Sequence, residues 1–291
     1  MKAKSAIAPY SVWMAIFIVV PLALILWFAF TDKNGAFTLQ NLASVGQYSN
    51  VFVRSIGLGA IATAISLILG YPLAYIIAKS NVRRQGVLVM LVMLPMWTNF
   101  LLRTYAWMSL LEDNGIINNF LASIGLDRIN MINTSGAVVL GMVYNYIPYM
   151  ILPIYSVLTK IDNSVIEAAQ DLGASQNKVF RKVIFPMSMP GVVSGVTMVF
   201  VPAVSTFIIS KMLGGSENLL IGDLIDMQFL GNSYNPNLGA AISLVLMVLI
   251  LICIDVYKRQ VLKGYLRPGD IVLVKGSRGM HTDEIVTALL Q

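Results

Sequence analysis

The sequence is poor in the residues that most enzyme active sites and disulfide scaffolds are built from. Of 291 residues one is cysteine and one is histidine. Cys253 lies inside an apolar run, so no disulfide framework exists, and a metal centre built on Cys253 and His281 alone is excluded. Charge is scarce as well. Charged residues make up 12% of the chain, against roughly 25% in an average soluble domain. No glycine is followed by lysine anywhere, so there is no G-x-x-x-x-G-K-[ST] phosphate loop. If nucleotide chemistry drives this protein, it is expected to sit on another subunit.

What is abundant is apolar surface. Hydrophobic residues reach 57% and the mean hydropathy is +0.76, which predicts a bundle of membrane spans. A span needs about 20 apolar residues, and such windows fall at 11–30, 56–78, 87–110, 136–158, 187–210 and 238–256. The first is long for a cleaved signal and has no small-residue cleavage site after it, so it reads as a retained anchor. The expected fold is an all-α membrane protein of six transmembrane helices. Pro21, Pro72, Pro95, Pro148, Pro153 and Pro202 fall inside the windows and predict kinks.

The net charge of +6 is a topology signal and gives no reason to expect a nucleic acid partner. With the N-terminus inside, cytoplasmic segments hold 11 cations: Lys2, Lys4, Lys79, Arg83, Arg84, Lys160, Lys178, Arg181, Lys182, Lys258 and Arg259. The outer segments hold 4, namely Lys33, Arg54, Arg128 and Lys211. That bias predicts both ends of the span region in the cytoplasm. Arg103 stands alone within a span, where a cation lining a path for cations would repel them, so a structural contact is expected of it.

One polar stretch interrupts the apolar chain: "EAAQDLGASQNKVFRKVIFP", residues 167–186. Ser164 and Glu167 form a capping box pattern, Gly173 suits a left-handed helix end, and Ser175 is placed to cap a second helix with Val179, Phe180, Val183 and Ile184 on one face. Pro186 is expected to stop that helix before the next span. By local physics alone the segment is either an amphipathic connector on the headgroups or a docking element. The order Glu167-Ala168-Ala169, Gly173, Val183, Pro186 resembles the EAA loop of ABC importer permeases. The resemblance implies the permease fold, with this loop as a cytoplasmic coupling helix that docks on the ATPase. Glu167, Ala168, Ala169, Gly173 and Pro186 would be its residues. Implied partners are two copies of an ATP-binding subunit, a second permease subunit, an extracellular or periplasmic substrate-binding protein, and membrane lipid. The chain itself would be no enzyme, in a bacterial inner membrane, with no cofactor, metal or catalytic residue.

Further stretches are similar to the spermidine/putrescine branch of that family: "LGYPLAYIIAK" (69–79), "LPMWTNFLLRTYAWMSLL" (94–111), "NGIINNFL" (114–121), "PAVSTFIISKMLGG" (202–215) and "NLLIGDLIDMQFL" (218–230). They imply a polyamine as cargo. A polycation path calls for carboxylates and aromatic faces, which makes Trp97, Tyr105, Tyr146, Asp223 and Asp226 candidates. The competing readings are interfacial belt aromatics and solvated loop acids. Importers of iron or of an inorganic anion are alternatives within the class. A membrane enzyme or scaffold is the alternative outside it, disfavoured because the span interiors carry no carboxylate. Residues 1–256 are expected to form the permease domain. The remainder, 257–291, reads as a soluble, unfolded, foreign segment; its residues 261–291 resemble the last strand and helix of a Mur ligase, joined at "DVYKRQ" (255–260).

Overall fold

The computed structural model describes residues 9–231 and 233–265, side chains of 217 and 260–265 excepted; the expected elements between 266 and 291 lie outside the described residues. Among the described residues the regular structure is helical, with one isolated bridge between Thr31 and Phe37 and irregular loops between the helices. In chain order the helices are α1 (Pro9–Ala29) and α2 (Gln40–Lys79), then α3 (Val82–Trp97), α4 (Phe100–Leu111) and α5 (Ile116–Ser123). They continue with α6 (Ser135–Leu158), α7 (Asn163–Asp171), α8 (Gln176–Ser205), α9 (Ile221–Phe229) and α10 (Pro236–Tyr265). Among the described residues five helices are long and apolar enough to cross a membrane, and α3 with the helical region after it makes a bent sixth. The last helix passes the expected span end at 256 and runs to Tyr265.

The centre of the bundle is the trio α2, α6 and α8. Lipid offers no hydrophobic gain for helix association, so close approach of small residues and polar links must hold such a trio. Gly195 of α8 lies so near Met150 of α6 that a Cβ would come within 2.8 Å of its sulfur, and at Gly191 a Cβ would come within 2.8 Å of the Pro153 carbonyl oxygen. Tyr71 of α2 and Ser188 of α8 share a buried hydroxyl–hydroxyl bond of 2.8 Å. Around this seam Met150, Ile151, Ile154 and Val199 are buried. By contrast α1 buries Ala29 alone.

The third expected span is not one helix. The chain turns by 86° between Val82–Trp97 and Phe100–Ser123. Because α3 ends at Trp97, its last carbonyls have no partner within the helix, and here one of them finds specific donors. The Pro95 carbonyl accepts from the Thr98 hydroxyl (2.7 Å) and from Arg103 Nη1 (2.6 Å). Asn99 then caps the new helix, its Oδ1 accepting from the amides of Leu101 (2.8 Å) and Leu102 (3.4 Å). The fifth span also differs from expectation. Pro186 does not stop a helix, because α8 passes through it from Gln176 to Ser205. The turn just before it, Phe180–Ile184, widens to a π-helix. That register change accommodates the missing proline donor without breaking the rod. The actual end comes earlier than 210, at Ser205, three residues beyond Pro202.

Candidate functional site

Two regions carry chemistry. The first is α7 with the turn that follows it. Its N-cap is Asp162, whose Oδ1 accepts from the Ser164 amide at 3.0 Å. That hydrogen bond also holds the Asp162 carboxyl below the usual carboxylate range. The expected cap, Ser164, lies inside the helix; the carboxylate two residues upstream reaches the first turn and takes the position. At the other end Gly173 has φ +79°. Its amide donates to the Gln170 carbonyl (2.8 Å) and the Ala174 amide to that of Ala169 (3.1 Å), the paired bonds of a Schellman ending. Ser175 stands at the start of α8 without a side-chain cap bond.

Burial sorts the residues of this segment. Val179 and Ile184 are buried, and Ile166, Ala169, Phe180 and Val183 pack partly against them. Phe180 meets Tyr75 edge-on at 5.5 Å. Glu167, Ala168, Asp171 and Gly173 are exposed. Leu172, which composition did not single out, is 89% exposed at the helix end. The exposed face of this segment is therefore Glu167, Ala168, Asp171 and Leu172, while Ala169 and Pro186 are half-buried.

The second region lies where two helix breaks come together, after Trp97 and after Ser205. Tyr146 of α6 interacts with Thr206 of the second break, and Arg103 of the first break and Tyr149 act on it electrostatically. Arg103 is the structural contact expected of it: it clamps Pro95, stands 5.9 Å over the Phe100 ring, and leaves a buried Nε without a partner. The start of α9 presses on the second break. A Cβ at Gly222 would come within 2.4 Å of the Thr206 carbonyl oxygen, and the Ile221 amide donates to the Ser55 hydroxyl at 2.9 Å.

Asp223 is not a solvated loop acid. It is 3% exposed, its Oδ2 accepts from the Leu220 amide at 2.8 Å, and its Oδ1 has no hydrogen-bond partner. Burial pushes its carboxyl up, against the pull of Ser210 and the Leu220 amide. Asp226 pairs with Lys211 at 3.4 Å, so its charge is already partnered. Trp97 and Tyr105 are 70% and 52% exposed, facing outward from this chain. Of the five path candidates, then, Tyr146 and Asp223 adjoin the second break. Among the described residues no group of three or more His, Cys, Asp or Glu is placed to hold a metal.

Comparison with known proteins agrees with this architecture. Residues 67–263 match the family described as binding-protein-dependent transport system inner membrane component. This chain belongs to that family. The permease is 37% identical over 266 residues to the spermidine/putrescine transport system permease protein PotB of Haemophilus influenzae, covering 88% of this chain and 93% of that protein. It is 36% identical over 257 residues to PotB of Escherichia coli, with coverages of 85% and 93%. Its fold is that of ABC importer permeases. A crystal structure of a bacterial ABC transporter that imports the acidic polysaccharide alginate superposes with a TM-score of 0.73, covering 90% of this chain and 95% of that one at 17% identity. The permease is a multi-pass membrane protein of a transport system, not an enzyme.

Proposed function

We propose that this permease is one membrane subunit of an ATP-driven importer that carries polyamines, spermidine or putrescine, into the bacterial cytoplasm. The observation that carries the reading is the likeness to PotB along nearly the whole of both chains, joined to a capped, exposed α7 in the loop between α6 and α8. Glu167, Ala168 and Gly173 dock the ATP-binding subunit, with Leu172 and Asp171 beside them. Two copies of that subunit, a second permease and an external binding protein complete the assembly. The positive-inside bias places α7 and the N-terminus in the cytoplasm. Tyr146 and Asp223 belong to the path at the second break; Trp97 and Tyr105, exposed here, meet the second permease. Residues 1–256 supply the transport function, and the segment beyond α10 supplies none.

The test is uptake of labelled putrescine and spermidine by cells that lack their own polyamine importers and express this permease with its partner subunits. Uptake that needs ATP hydrolysis and the binding protein is expected. An assembled complex that moves iron or an inorganic anion and no polyamine would overturn the substrate. A reporter fused within 163–171 that is active only outside the cell would overturn the orientation.

A further inference from the structure

Where α2 ends and α3 begins, the chain leaves a cavity of about 240 Å³ against α7. Lys79, Val82 and Gln85 line one side of it, and Thr159, Ile161 and Asn163 the other. Gln85 fixes one wall. Its amide nitrogen donates to the carbonyls of Ala78 (3.1 Å) and Ser80 (2.8 Å), and its oxygen accepts from the Tyr155 hydroxyl (3.2 Å). A volume of this size holds several waters, or one small polar headgroup.

The surroundings carry more cations than acids, with the exposed Asp162 as the nearest carboxylate. Lys79, Arg83, Arg84 and Lys160 are exposed on the two segments that frame the cavity. The ion pairs recorded among the described residues, Lys211–Asp226 and Arg259–Asp255, involve none of them. The nearest acid in sequence, Asp162, has a carboxylate oxygen engaged with the Ser164 amide. The first turn of α3 also starts here without a side-chain cap from Asn81, whereas Asn99, Thr134 and Asp162 close α4, α6 and α7. The positive end of the α3 dipole, whose Arg84 amide already donates to the Asn81 carbonyl at 2.7 Å, and the flanking cations both favour an anion. The isoleucine and valine in the walls favour one that carries apolar groups. At the edge of a membrane span those two demands meet in an acidic phospholipid, whose headgroup is drawn by nearby lysine and arginine.

We infer that the cavity between the α2–α3 joint and α7 binds the headgroup of an acidic phospholipid from the cytoplasmic leaflet. The inference rests on the cytoplasmic placement of α7 given above. The bound headgroup ties the α2–α3 joint to the helix that docks the ATPase.

The test uses the assembled complex, purified in phosphatidylcholine nanodiscs with and without phosphatidylglycerol and released for native mass spectrometry. Phosphatidylglycerol retained by the wild type and lost from K79Q/R83Q/R84Q is expected, with retention kept in the equally neutralised K178Q/R181Q/K182Q. Each lost cation should weaken headgroup affinity about fivefold, and the triple variant about a hundredfold. Equal retention in wild type and K79Q/R83Q/R84Q, or none in the wild type, would overturn the site. Displacement of the lipid by inorganic phosphate at matched concentration would assign the cavity to a free anion instead. Because bound lipid is the readout, a failure to transport polyamines would count against the proposed cargo and leave this result standing.

Discussion

Replacing Gly173 separates the coupling role of α7 from its stability. The backbone there is left-handed, at φ +79°, and a Cβ would meet nothing within 4 Å. The substitution therefore carries a conformational cost and no steric one: about 1–2 kcal/mol for an ordinary L residue, and more for a β-branched one. That is a factor of about 5–30 in the population of the native turn. The two bonds that close the helix, Gly173 to Gln170 and Ala174 to Ala169, are lost together when the turn relaxes, and Asp171 and Leu172 leave the docking face with them. The buried packing of Val179 and Ile184 lies beyond the turn and stays. Gly173→Val should thus reach the membrane at normal levels, recover several-fold less ATP-binding subunit in pull-downs, and lose uptake in proportion. Gly173→Asn, which tolerates the left-handed region, should fall between Val and wild type. Wild-type uptake and ATPase recovery in Gly173→Val would refute the reasoning.

Arg103→Leu removes the donor to the Pro95 carbonyl and should destabilise the purified permease by about 1.5–3 kcal/mol, with Arg103→Lys intermediate; a changed preference between putrescine and spermidine, with stability intact, would contradict a structural clamp. For Asp223, burial raises the folded pKa above the unfolded value, so the stability linked to its proton is full below about pH 4 and is lost as pH rises through the raised value. Asp223→Asn should therefore flatten the decline in melting temperature from acidic to neutral pH, and an unaltered pH profile would refute the assignment. Truncation after Tyr265 should leave membrane insertion and partner assembly intact, as judged by fractionation and co-purification; loss of either would give the C-terminal segment a role.

Hydropathy made five of the spans legible because each is a nearly uniform apolar run, and the sequence pattern around Gly173 announced its turn. The break in the third span escaped because an averaging window is blind to direction: the stretches before Thr98 and after Asn99 are apolar, so the window 87–110 looks continuous. The signal was there in Pro95 followed by Asn99, a donor-poor residue and then a strong helix cap. The cap of α7 was misplaced by two residues because Asp162 and Ser164 both suit it, and only backbone geometry decides between them. Asp223 was unreadable for a different reason. A carboxylate in a polar stretch looks solvated, and its burial follows from α9 folding onto Ser55 and the carbonyls freed at Thr206, a tertiary event with no local signature.

The route from docking to cargo follows from which helices α7 joins. It is linked to the end of α6 by one short turn and to the start of α8 by Gly173. Its own inner face, through Ile166 and Ala169, packs on the cluster those two helices share. A helix transmits displacement along its axis, and the 30 residues of α8 span about 45 Å. Gly191 and Gly195 seat α8 against α6 with no room for a Cβ, so the pair moves as one body. Its far part holds Tyr146 on α6 and the break at Thr206 on α8, the break against which Gly222 and Asp223 are set. A pull on α7 in the proposed importer must therefore shift the second break as a unit with Tyr146. The first break packs on the same pair, since Trp107 of α4 meets Tyr144 of α6 edge-on at 5.3 Å.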